Sequence, residues 1–76
     1  MTRWEFAHAP SPDDDMAIGA DLIDTDKTVL ASCLLLSDGE IDTESDGCGI
    51  FADDLKDPDW PDYADGYAVV FGGGAA

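Results

Sequence analysis

Seventy-six residues carrying 18 Asp+Glu against 3 Lys+Arg have a formal net charge of −15, which argues against direct binding to nucleic acid or an anionic membrane surface and favours basic protein partners. A chain this short allows one domain, spanning 1–76, with a thin core and little room for a substrate cleft. The 45% hydrophobic content nevertheless argues for a folded body under the acid.

Residues 3–9 alternate Arg3, Trp4, Glu5 and Phe6, the period of a half-buried strand. Ala9-Pro10-Ser11-Pro12 breaks it. Ser11 then resembles an N-cap, with Pro12 at the first helical position and Asp13, Asp14 and Asp15 in the first turn. This pattern predicts a helix over 12–23 with Met16, Ala17, Ala20 and Ile23 on its apolar face and Asp14 and Asp21 turned away, although Gly19 costs ~1 kcal/mol there. The alternative is a hairpin pairing 18–23 with 28–33 across the polar turn Asp24-Thr25-Asp26-Lys27.

Residues 28–36 are rich in β-branched and aliphatic side chains and predict the central strand. Turn signals follow at Ser37-Asp38-Gly39, Ser45-Asp46-Gly47 and Ala64-Asp65-Gly66, bounding short strands expected at 40–44, 48–52 and 67–72. Pro58 and Pro61 interrupt 53–66, leaving at most a helical turn. Residues 72–76 form an expected flexible tail. The predicted fold class is α+β: a small antiparallel sheet of about four strands with one N-terminal helix.

Glu40, Asp42, Glu44 and Asp46 place a carboxylate at every second position, so an extended chain would point them all one way, about 6.6 Å apart. That repeat is of the order of the phosphate separation along one nucleic-acid strand. Charge on an edge strand also discourages aggregation, which would account for such a row without any partner. Two further acidic clusters favour a contact surface: Asp53, Asp54 and Asp57 at helical spacing, and Asp59, Asp62 and Asp65 at every third position. Trp60, between two prolines and near Tyr63, is either a core plug or an aromatic anchor in an interface.

Calcium binding and adaptation to salt compete with a contact surface. Asp42, Glu44, Asp46 and Asp53, with Gly47, resemble the first half of an EF-hand or dockerin calcium loop over 42–53, but Glu44 is long for its position and Gly49 replaces an aliphatic residue. High Asp with almost no Lys also suits an acidic halophile domain, hydrated in concentrated salt and without any mimicry role. Catalysis has no motif: His8 is the only histidine, leaving Cys33 or Cys48 without a second candidate base, so a non-enzyme with no cofactor is expected. The two cysteines read as reduced. Met1-Thr2-Arg3-Trp4-Glu5 lacks a signal-peptide plan and no apolar run approaches ~18 residues, which predicts a cytoplasmic location.

In size, acidity and the lack of a catalytic signature, the chain resembles the phage-encoded DNA-mimic inhibitors, especially the small anti-CRISPR proteins and, more distantly, restriction and uracil-glycosylase inhibitors. The resemblance covers the composition as a whole and transfers no residue by alignment. It implies a partner, the basic DNA-binding groove of a CRISPR-Cas surveillance complex or a similar nucleic-acid-binding protein, and a location in the host cell. The expected contact residues are Glu40, Asp42, Glu44, Asp46, Asp53, Asp54, Asp57 and Trp60.

Overall fold

Ile18, Ala20 and Leu22 alternate with Gly19 and Asp21, and this two-residue period governs the N-terminal half of the protein. In the computed structural model, which describes residues 1–9 and 14–72, β1 (Arg3–His8), β2 (Ile18–Ile23) and β3 (Val29–Leu35) form an antiparallel meander. Two short strands, β4 (Ile41–Asp42) and β5 (Gly49–Ile50), both pair with the far edge of β3 and complete a five-stranded sheet. One helix, α1 (Tyr63–Val70), follows near the C-terminus.

Strand β3 is central, as its continuous apolar run predicted. The helix, however, is not N-terminal. Where a helix over 12–23 was expected, residues 18–23 form a strand, and the hairpin alternative describes the chain: β2 pairs with β3 from Ile18↔Leu35 to Ile23↔Val29. Asp14 to Ala17 form only a turn, closed by the Ala17 N–H donating to the Asp14 carbonyl at 3.0 Å. The reason is packing. As a strand, the segment buries Ile18, Ala20 and Leu22 between two neighbours, whereas an isolated helix of this length is marginal in water and Gly19 would weaken it. Ser11, Pro12 and Asp13, the expected helix start, lie outside the described residues, as does the expected tail from Gly73 onward.

The hairpin turn uses its acids locally. Asp24 Oδ1 accepts the Thr25 N–H at 2.6 Å, while Lys27 adopts the left-handed region with φ 67. Just beyond, a register shift between Leu22 and Ile23 makes Leu30 an extra residue, and its carbonyl accepts the N–H groups of both Phe51 and Ala52.

One sheet face is the core. Ile18, Ala20, Cys33 and Leu35 form its buried centre, and Trp4, Phe6, Trp60, Tyr63, Val70 and Phe71 pack around them. The strand expected at 67–72 is therefore helical for most of its length. Tyr63, Tyr67 and Phe71, spaced four apart, stack in sequence at 5.9 and 5.0 Å, and Phe71 meets His8 edge-on at 4.8 Å. Strands β4 and β5 are shorter than the expected 40–44 and 48–52 because the chain turns away after Asp42 and returns only at Gly49. Among the described residues no helix is long and apolar enough to cross a membrane.

A candidate acidic interface

Among the described residues, no helix covers the opposite sheet face. Alternation that turns Trp4 and Phe6 toward the core turns Glu5 and Ala7 outward, and in register beside them stand Asp21 and Gly19 of β2, then Ser32 and Leu34 of β3. Glu5 and Asp21 are directly opposite, which brings two like charges to about 5 Å between Cβ atoms. Each carboxylate has a donor that steadies it. Arg3 Nη2 donates to Glu5 Oε2 at 3.2 Å, and the Ser32 hydroxyl donates to Asp21 Oδ1 at 2.6 Å.

The connection between β4 and β5 folds over the far side of this face. Ala7, Gly19, Asp21, Ser32 and Leu34 floor a hollow of about 250 Å³ that Asp46, Gly47 and Cys48 wall. Gly47 takes φ 88, a left-handed conformation that a side chain would strain, and so permits the sharp return.

The expected row does not persist as an extended array. Glu40 and Asp42 keep the alternation across β4, but Asp42 then caps its own turn: Oδ1 accepts the N–H groups of Glu44 at 2.9 Å and Ser45 at 3.0 Å, and Oδ2 accepts the Ser45 hydroxyl. The Ser45 hydroxyl foremost, with the two N–H groups, holds the Asp42 carboxyl below its ordinary value. Short polar side chains bonding to nearby backbone favour turns over strands, and that preference overrides the even spacing. Glu44 and Asp46 project from the bend, and both are exposed.

Asp53, Asp54 and Asp57 lie elsewhere, on the long connection from β5 to α1, and all three are exposed. Asp57 lines a second hollow with Arg3, Trp4, Leu22 and Leu55, on the core side of the sheet. Trp60 is half-buried, its ring 5.7 Å from Trp4, so the structure uses it as a core plug. Tyr63 is fixed as well, its hydroxyl donating to the Met16 carbonyl at 2.8 Å. The alternative calcium set, Asp42, Glu44, Asp46 and Asp53, does not converge: among the described residues no group of three or more His, Cys, Asp or Glu could hold a metal ion.

Glu5 and Asp21 share the open face but are not among the expected contact residues. The signal for Glu5 was present, since it alternates with Trp4 and Phe6. That for Asp21 was hidden by assigning its segment a helical period, which placed it away from the other acids.

Beside the sheet, Asp14 ties the β1–β2 connection to the turn after β3. Its Oδ2 accepts the Ser37 N–H at 3.1 Å and the Ser37 hydroxyl at 3.0 Å, and its Oδ1 accepts the Met16 N–H at 3.0 Å. The backbone N–H of Ser37 foremost, then that of Met16, lowers the Asp14 carboxyl from its ordinary value. A carboxylate depressed in the folded state contributes stability above its unfolded pKa and loses it as pH falls through the folded one. Asp14→Asn is therefore expected to lower the melting temperature by a few degrees near neutrality, with the gap from wild type narrowing below about pH 4. Parallel melting curves across pH check this, and a gap that is constant down to acid pH removes the ionised carboxylate as its cause.

No protein-family model, no curated protein and no solved structure matches this chain.

Proposed function

We propose that this protein binds a basic nucleic-acid-binding protein through its acid-rimmed open sheet face and excludes nucleic acid from that partner. A CRISPR surveillance complex is one partner of this class. The main support is uncompensated charge. Against the net −15, the described residues contain two ion pairs, Met1 ammonium with Asp24 and Arg3 with Glu5, and no buried charged residue.

Glu5, Asp21 and Asp46 contribute to that open side, and Glu44 is exposed on the connection that carries Asp46. The hollow that Asp21 and Asp46 line has an apolar floor at Ala7, Gly19 and Leu34, suited to the aliphatic stem of a Lys or Arg whose charged head meets either carboxylate. Association is electrostatically steered, fast at low ionic strength and weakened by salt.

The test is capture. The immobilised protein should retain nucleic-acid-binding proteins from a cell lysate at low salt, and added duplex DNA should release them by competition. Retained proteins that DNA does not displace would defeat the proposal.

A saline-adapted domain is the second reading. It is favoured by the spread of acid beyond the open face, to Asp24 and Asp26 in one turn, Asp38 and Glu40 in another, and Asp53 to Asp59 along the connection to α1. Melting curves against salt separate the two. A halophile domain unfolds cooperatively as salt is withdrawn, whereas a mimic stays folded at low salt and binds best there.

A further inference from the structure

Strand β5 meets β3 in an antiparallel register of Ala31↔Ile50 and Ser32↔Gly49. Cys33 and Cys48, the two cysteines of the chain, flank this pairing, one just after Ser32 and the other just before Gly49. The Leu30 carbonyl accepts bonds from residues 51 and 52, so the even-numbered residues of β3 direct their backbone groups toward β5. Position 33 directs its own toward β2, and Gly49, with φ 128, bends the chain between the last pair and Cys48. A disulfide spans Cα atoms about 4.4–6.8 Å apart, a range that includes the roughly 4.8 Å spacing of neighbouring strands. Both residues line the same hollow, Cys33 buried and Cys48 half-buried.

We propose that Cys33 and Cys48 are a latent cross-strand disulfide site that, when oxidised, staples β5 and the acidic 43–48 connection to the central strand. Both sulfurs are thiols in this structure. The oxidant is a low-molecular-weight disulfide such as oxidised glutathione, and exposure sets the order of events. The Cys48 Sγ attacks one glutathione sulfur, breaking the glutathione disulfide and releasing one glutathione thiol. The Cys33 Sγ then attacks the Cys48 sulfur of the mixed disulfide and releases the second glutathione, which carries away the remaining proton.

Burial foremost, then the adjacent Cys48 sulfur and the charges of Asp21 and Asp42, pushes the Cys33 thiol up to about 12. Burial and the same two carboxylates raise Cys48 as well. The reaction is therefore slow at neutral pH and accelerates as pH rises, while the bond once formed resists reduction because both leaving thiolates are poor.

Treating the folded protein with oxidised glutathione at mildly alkaline pH, without denaturant, tests the site. Intact mass should fall by two hydrogens, peptide mapping should find Cys33 joined to Cys48, and the melting temperature should rise by on the order of 10 °C. Cys33→Ser should stop at a glutathione adduct on Cys48. A wild-type protein that stops at that adduct, links only between chains, or melts no higher once bridged overturns the proposal. The mass reading on wild type stands even if a variant fails to fold.

Discussion

Gly66→Val is expected to lift α1 from the sheet and cost about 3 kcal/mol, most of the stability that a domain of this size commonly has. Gly66 is the buried residue of the helix, in its second turn. A Cβ there would lie 3.0 Å from Ile18 Cγ2 and 3.1 Å from both Leu35 Cδ1 and Phe6 Cδ1. Ile18 and Leu35 are 0% exposed, so they have nowhere to move. Alanine at 66 sets the same crowding against roughly 1 kcal/mol of better helix propensity and is expected to lie between wild type and Val. Val at the exposed position 64 controls for the β-branched side chain and should cost only a few tenths of a kcal/mol. Thermal melts decide it, and a Gly66→Val protein that melts with wild type would mean that the helix does not pack as described.

Neutralising the open face and the connection beside it should weaken partner binding by roughly 30- to 1000-fold, on about 0.5–1 kcal/mol for each of the four charges Glu5, Asp21, Glu44 and Asp46. The variant carries Gln at 5 and 44 and Asn at 21 and 46, leaving Asp42 to hold its turn. A second variant with Asn at 53, 54, 57 and 59 removes the same amount of charge from the connection between β5 and α1. Net charge is then matched, and only placement differs. Titrations of both against a partner recovered by capture, at two salt concentrations, read the difference. Equal losses in the two variants would show that bulk charge, and not the open face, drives binding.

Apolar Ile41, Ile50 and Phe51 stay about half exposed because α1 covers β1 and β2 but does not extend over β4 and β5. The core is consequently off-centre. Its stability depends on the three-stranded meander and one short helix, which is why a branched side chain at Gly66 is expected to be felt so strongly.

Much of the meander was legible in the residue order. Arg3-Trp4-Glu5-Phe6 alternates cleanly, and the aliphatic run from Val29 to Leu35 has the β-branched and buried character of a central strand. The acid row was misread for a local reason: spacing of two implies a shared face only if the chain stays extended, and Asp42 accepting three bonds from residues 44 and 45 bends it. At 63–70 the reverse occurred. Gly66 reads as a turn residue, yet it sits inside a helix because only a residue without a side chain lets the helix approach Ile18, Leu35 and Phe6 so closely.

Composition settled on its own that the surface is strongly anionic, that the core is small, and that Asp would concentrate in turns, because these follow from residue chemistry whatever the fold. Which segments became strand or helix, and which carboxylates share a face, depended on partners distant in sequence. Ile18 to Ile23 could satisfy its apolar residues as a helix or as a strand, and the pairing with β1 and β3 decided between them. Asp21 joined Glu5 on the open face through that same pairing, since side chains alternate across a strand but not around a helix.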